Sequence, residues 1–207
     1  MTDPDASNAA GKADLRRKLR AARREHVASL DERVRALLFK RPPAAVAALV
    51  PEDATVGLYA PAVGEAPASA YARWFHEEGH PVALPWFAQR GAPMEFRQWE
   101  TPWIEETLAT GPYGAAQPAD DAAAAVPGVL FVPLVGFTAD GHRLGQGGGH
   151  YDRWLDAHPG TIAIGLAWDC QLVDSLPMEP HDHPLHAVVT PTRLYGPWSR
   201  DTGEHAA

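Results

Sequence analysis

The chain has 207 residues, 45% of them hydrophobic, with a formal net charge of -8 and one cysteine, Cys170. The length suffices for a single domain with a substantial core, and the acidic balance excludes general nucleic-acid binding by the domain as a whole. A lone cysteine excludes an internal disulfide and points to a reducing compartment. No apolar run is long enough to span a bilayer, and the polar start lacks the regions of a secretion signal, so a cytoplasmic protein without membrane partners is expected.

Residues 1–10 are expected to be disordered and 197–207 to form a polar tail, leaving one domain over 11–196. From 12 to 27 the pattern is helical, with Leu15, Leu19, Ala22 and His26 forming a stripe among seven basic residues. Ser29-Leu-Asp-Glu32 reads as a capping box that starts a second helix towards Lys40. Pro42-Pro43 punctuates it, and 44–50 forms a further short helix. The chain then alternates. A strand at 55–59 leads to a loop at 60–66 and a helix at 67–78 closed by Gly79. Strands follow at 82–87 and 94–99, then a short helix or loop at 102–111 and an acidic, alanine-rich surface connection at 119–125. Runs 128–137 and 161–168 are buried strands, and 187–193 is the last. Strands alternating with helices imply an α/β fold: a single three-layer α/β/α domain around a mainly parallel sheet.

The stretch Arg143-Leu-Gly-Gln-Gly-Gly-Gly-His-Tyr-Asp152 stands between an apolar run and the helical pattern of 151–157. Glycines let backbone N–H groups turn outward and approach a ligand closely, and consecutive N–H groups form a concavity suited to phosphate. Strand, glycine loop and helix is the usual context for phosphate at a helix N-terminus. The block is neither a Walker A sequence, lacking the terminal Gly-Lys-Ser/Thr, nor a full dinucleotide fingerprint. Its bland reading is a flexible turn. Arg143 and Asp152 favour the functional one, because arginine forks onto phosphate oxygens and a carboxylate holds the magnesium that accompanies them.

Elsewhere the bland readings compete more strongly. Lys12 and Arg16 share one helix face and by periodicity read as solvated. Glu179-Pro-His-Asp-His-Pro-Leu-His186 concentrates potential zinc ligands, which supports a rival metal-dependent hydrolase. Prolines interrupt that segment, however, and Asp182 paired with Asp152 around magnesium is chemically easier. Trp86, Phe87, Trp99 and Tyr113 read as core aromatics near strand ends. Glu65 reads either as a helix N-terminal carboxylate or as an anchor for a heterocyclic amine.

Taken together these blocks resemble the 5-formyltetrahydrofolate cyclo-ligase family, also called methenyltetrahydrofolate synthetases. The likeness runs from about Lys12 to Tyr195. It rests on Lys12-Ala-Asp-Leu-Arg16, Met94-Glu-Phe-Arg-Gln-Trp99, Gly114-Ala-Ala-Gln-Pro118 and Ile164-Gly-Leu-Ala167. Leu176-Pro-Met-Glu-Pro-His-Asp182 adds to it, and most specific is Phe131-Val-Pro-Leu-Val-Gly-Phe137 running into Gly141–Arg153. The resemblance implies an ATP- and Mg2+-dependent cyclisation of 5-formyltetrahydrofolate to 5,10-methenyltetrahydrofolate through a phosphorylated imidate, with release of ADP and phosphate. It implies that Lys12, Arg16 and Arg143 bind phosphate, with Lys12, Arg143 and Asp152 in the catalytic step. Leu144, Gly145, Gln146, Gly147, Gly148, Gly149, His150 and Tyr151 would form the nucleotide loop. Asp152 and Asp182 would ligate magnesium. Glu65, Trp99, Tyr113, Gln146 and His150 would face the folate. Under this resemblance Lys12 and Arg16 leave solvent for the site. The expected partners are the two small substrates, with no nucleic acid, and the expected state is a monomer. Departures from the family pattern fall at Gln146 and at His150, where an aromatic is common. Two more are Ala60, where some members carry a larger side chain, and His186, which stands in place of an aspartate and takes no metal role.

Overall fold

The structure, a computed structural model, describes residues 4–179 and 182–198. It opens with helix α1 (Pro4–Ser29). Residues 4–10, expected to lack structure, are its first turns; proline suits the start of a helix, and Ala6, Ala9 and Ala10 favour its continuation. The next helix, α2 (Glu32–Leu37), is capped by Asp31, whose carboxylate accepts from the N–H groups of Arg33 and Val34. The expected Ser29 cap is therefore corrected: Ser29 ends α1, where its hydroxyl donates to the His26 carbonyl. Helix α3 (Ala44–Ala47) is a single turn, shorter than 44–50.

Strand β1 (Val56–Gly57), helix α4 (Ser69–Glu77), strand β2 (Val82–Trp86) and strand β3 (Glu95–Gln98) follow. A 3-10 turn at Glu105–Thr107 precedes a small ribbon of β4 (Ala109–Thr110) and β5 (Ala116–Gln117). The 119–125 connection is corrected at its end, because β6 (Ala124–Ala125) pairs with β3 as an edge strand. Arg97 folds the segment back by donating to the carbonyls of Asp120 and Ala122. The single strand expected over 128–137 is two. Strand β7 (Val129–Pro133) stops at a proline that has no N–H, and β8 (Gly136–Phe137) forms a hairpin with β9 (Arg143–Leu144). In the gap, the Leu134 and Val135 carbonyls accept from the Gln171 amide instead of a strand, at 2.7 and 3.0 Å.

The chain ends through α5 (His150–Ala157), β10 (Ile162–Leu166), β11 (Ala187–Val189) and β12 (Leu194–Tyr195). A turn held by Thr190 and Arg193 divides the strand expected over 187–193 and sends β12 back antiparallel. Trp198 packs against the core, its N–H on the His186 carbonyl at 2.9 Å, so order extends past 196. The remaining tail, 199–207, lies outside the described residues.

The main sheet has the order β12-β11-β10-β7-β1-β2-β3-β6. The five strands β11, β10, β7, β1 and β2 are parallel, with antiparallel strands at both ends. Alternation along these strands divides the core. Val129, Phe131, Ile164, Leu166, Ala187 and Val189 face one layer with Tyr71, Ala72 and Phe75 of α4. Leu130, Val132, Ala163 and Val188 face the other with Trp154 and Leu155 of α5. This is the expected three-layer α/β/α arrangement. Helix α1 docks separately: Leu19 packs on Val135 and Leu144, over the β8–β9 hairpin. Gly136 permits that approach, since a Cβ there would lie 2.5 Å from Leu19 Cδ1.

From β1 the chain winds one way to β2, and from β7 it winds the other way to β10 and β11. The direction reverses between β1 and β7, and in open α/β sheets ligands bind at the carboxyl ends of strands beside such a reversal.

Candidate active site

A cavity of about 610 Å3 opens there. Its floor is Tyr59 and Ala60, just after β1, with Pro133 at the end of β7. One wall is the glycine loop, 145–149, which connects the hairpin strand β9 to α5. Gly147 has φ +104 and Gly149, the N-cap of α5, has φ +62; both lie in the left-handed region that L residues rarely adopt. The loop follows a hairpin strand, whereas the sequence suggested a central one.

Three cations converge on the cavity. Lys12 is 5% exposed, and its ammonium donates to Glu179 Oε2 at 2.7 Å and Asp182 Oδ2 at 2.8 Å. Burial alone would push the Lys12 pKa down, but the hydrogen bonds to Asp182 and Glu179, with their charges, more than offset it and hold the group above its usual range. Arg143, buried at the start of β9, forks onto Asp152 and the His183 carbonyl. Burial pushes its pKa down, against the charges of Asp152 and Asp182. Arg16 donates from Nε to the Gly145 carbonyl at 2.9 Å, fastening the glycine loop to α1. Periodicity placed Lys12 and Arg16 in solvent; the structure puts both on the cavity.

A second part of the lining is aromatic. Phe87, Tyr113 and His150 meet with ring centroids 4.9, 4.9 and 5.3 Å apart. Tyr113 sits at the tip of the β4–β5 ribbon, and Gln117 ties that ribbon to β2 by a double hydrogen bond with the Phe87 backbone. The Tyr113 hydroxyl in turn accepts from the Gly91 N–H at 2.9 Å. Burial first, and the Arg153 charge second, push the His150 pKa below its usual range, so a neutral ring is favoured between the aromatics. Beside this wall, Glu65 Oε2 accepts from the Ala62 N–H at 2.9 Å and Oε1 accepts from Gln146 Nε2 at 2.7 Å. Glu65 thus lies in the loop before α4 and does not cap a helix.

Of the residues singled out in the sequence, Lys12, Arg16, Glu65, Tyr113, Arg143, Leu144, Asp182 and the whole of 145–152 line this one cavity. Trp99 does not. It belongs to the core and borders a neighbouring cavity of about 460 Å3 that shares Tyr59 and Tyr113 with the first. The described histidines of that segment have other partners: His183 pairs with Asp156 at 2.8 Å, and His186 Nδ1 accepts from the Ala163 N–H at 3.0 Å. His181 lies outside the described residues. Among the described residues no group of three or more His, Cys, Asp or Glu could hold a metal by itself. Sequence reasoning missed Glu179, Tyr59 and Phe87 on the cavity, and Arg20, which donates to the Gln146 side chain and carbonyl. Only Glu179 carried a signal, as an acidic neighbour of Asp182.

The chain is similar to proteins of known activity. Over 69 residues the chain is 54% identical to 5-formyltetrahydrofolate cyclo-ligase of Escherichia coli (strain K12), a match spanning 32% of this chain and 38% of that protein. It is 33% identical over 122 residues to the cyclo-ligase of Mycolicibacterium smegmatis, spanning 56% of this chain and 55% of that one. The NMR structure of Aquifex aeolicus 5,10-methenyltetrahydrofolate synthetase shares the fold, with a TM-score of 0.62 and 24% identity across 94% of this chain and 96% of that one. Residues 8–191 match the family as a whole, and the chain belongs to the 5-formyltetrahydrofolate cyclo-ligase family.

Proposed function

We propose that this protein converts 5-formyltetrahydrofolate to 5,10-methenyltetrahydrofolate at the expense of ATP. The observation that carries the reading is the two-sided cavity: phosphate-binding chemistry on one wall and an aromatic wall with a carboxylate on the other. A triphosphate and a flat heterocycle placed there would meet between the walls.

In the proposed reaction the formyl oxygen attacks the γ-phosphorus, the bond to ADP breaks, and an O-phosphorylated imidate forms. N10 then bonds to the formyl carbon and gives up its proton to solvent, and the C–O bond breaks to release inorganic phosphate. Phosphoryl transfer asks a protein chiefly for positioning and charge stabilisation. Lys12, Arg16 and Arg143 supply the charge, and the loop 144–151 presents backbone N–H groups to the phosphates. Tyr113, His150, Gln146 and Glu65 hold the folate, with Trp99 acting from the adjoining cavity. Phosphate oxygens would replace carboxylates as the partners of Lys12 and Arg143, and Asp182 and Asp152 would serve as oxygen ligands. Two carboxylates plus substrate phosphates match the way Mg2+ is commonly held, so these residues fit the ion. Bound there, Mg2+ would neutralise phosphate charge. We place the enzyme in the cytoplasm, consistent with its single cysteine, and as a monomer.

The test is direct. Purified protein mixed with 5-formyltetrahydrofolate and Mg-ATP should develop the absorbance of the methenyl product. Folded protein that yields none at saturating substrate rules the reading out.

A further inference from the structure

Arg23 is buried on α1, three helical turns beyond Lys12 and on the same side of the helix. It does not line the cavity, and the proposed reaction leaves it without a task. A buried guanidinium calls for an explanation, because an ion out of water is retained only when partnered. Among the described residues its one ion-pair partner is Glu65, 3.7 Å away, and both side chains are 7% exposed. The rest of its fork is poorly satisfied: NH1 reaches the Leu134 carbonyl at 3.4 Å, and Nε has no hydrogen-bond partner. Among the described residues, Glu65 is thus the carboxylate that balances this cation.

Among the described residues, the hydrogen-bond and ion-pair partners of Glu65 are all donors. Gln146 Nε2 and the Arg23 guanidinium approach Oε1, and the Ala62 N–H holds Oε2. That surround fits a carboxylate that only accepts. Three segments distant in sequence thus converge on one group: α1, the loop after β1 and the glycine loop. Glu65 lines the cavity while Arg23 stands behind it, so anything Arg23 does for a ligand passes through Glu65.

We infer that Arg23 is a positioning residue for folate recognition, locking the Glu65 carboxylate as a fixed acceptor for an N–H-bearing edge of the substrate heterocycle. The inference rests on the cyclo-ligase reading. Without the cation, the Glu65 carboxylate would be free to turn to other donors, away from the substrate edge that needs it as an acceptor. The cations of the nucleotide wall take their partners elsewhere, Lys12 on Glu179 and Asp182 and Arg143 on Asp152 and the His183 carbonyl, so the effect should fall on the folate.

The test uses full-length Arg23→Met, Arg23→Lys, Glu65→Gln and the Arg23→Met/Glu65→Gln double variant. KM for each substrate, kcat and equilibrium binding of 5-formyltetrahydrofolate would be measured on protein shown to be folded by circular dichroism. Arg23→Met should raise the folate KM and Kd by roughly tenfold or more, with the Mg-ATP KM unchanged, and Arg23→Lys should recover part of the loss. In the Glu65→Gln background, Arg23→Met should have no further effect on folate. An unchanged folate KM in Arg23→Met, an equal rise for both substrates, or additivity with Glu65→Gln would overturn the inference. Should Arg23→Met fail to fold, the double variant removes both charges, and a folate Kd weaker than that of Glu65→Gln alone would refute it. Wild-type protein that neither binds nor converts folate would instead sink the cyclo-ligase reading, and this inference with it.

Discussion

Lys12→Met separates what the cation cluster does for the fold from what it does for the reaction. The substitution keeps the length and apolar stem of the side chain and removes its charge, leaving Asp182 and Glu179 facing each other without the ammonium that lay 2.8 and 2.7 Å away. Breaking a fully buried ion pair costs roughly 3–5 kcal/mol. Here the side chains of Asp182 and Glu179 are 15% and 30% exposed, so solvent screens the two charges and the loss falls to about 1–3 kcal/mol. For a chain of this size that lowers Tm by roughly 3–10 °C. If Lys12 also stabilises charge on the transferred phosphoryl group, kcat should fall by about 100- to 1000-fold. Thermal melts and initial rates of methenyl formation read the two effects apart. Adding Asp182→Asn to Lys12→Met should restore much of the Tm without restoring turnover. Two results would refute the reasoning: Lys12→Met with near-wild-type kcat, or a melting loss that Asp182→Asn does nothing to repair.

The other predictions test the loop, its arginine and the buried phenols. Arg143→Ala strips Asp152 and the His183 carbonyl of their shared donor and should cut kcat/KM about 100-fold or more with the fold intact; near-full activity would remove Arg143 from the phosphate site. Gly147→Ala forces a residue with a side chain to φ +104 and sets its Cβ 3.4 Å from the Arg16 guanidinium carbon. The strain should cost roughly 1–2 kcal/mol, with the Mg-ATP KM rising more than the folate KM; the opposite order would assign the loop to the wrong substrate. Tyr59 and Tyr71 are buried and Tyr151 is half-buried, and desolvation raises each pKa above the ordinary value of 10.0. An acid group with a raised folded pKa lends stability below its unfolded pKa and loses it as pH rises beyond that value. Stability should therefore decline above pH about 10, with these phenols ionising only as the fold is lost. Tyrosinate absorbance growing by three residues' worth before the circular dichroism changes would contradict their burial.

Much of the fold is visible in the sequence because it depends on local patterning. The central strands β7, β10 and β11 alternate faces as their apolar residues demand, and α4 and α5 fall close to where their helical periods lie. Failures cluster where a distant group decides the outcome. The run 128–137 reads as one strand because it is apolar almost throughout. It divides after Pro133, which has no N–H, where the amide of Gln171, far along the chain, takes the carbonyls of Leu134 and Val135. Likewise 119–125 reads as surface because alanine and aspartate favour it, yet Arg97 draws its backbone against the edge of β3.

Helix α1 shows the same limit at the candidate site. Periodicity sorts residues by their preference for water, and on that scale Lys12, Arg16 and Arg23 belong outside. The face that is turned inward nevertheless carries Lys12, Leu19 and Arg23 together, all of them buried. Two of those three are cations, and their burial is tolerable only because carboxylates arrive from elsewhere: Glu179 and Asp182 for Lys12, Glu65 for Arg23. No window of the helix contains that information. A local reading therefore errs in a definite direction, assigning to solvent the charged residues whose partners are non-local. A functional site built from long-range ion pairs is thus the part of a fold that hydrophobic patterning is least able to reveal. The glycine loop escaped this fate because its signal is conformational: Gly147 and Gly149 announce a left-handed backbone without reference to any partner.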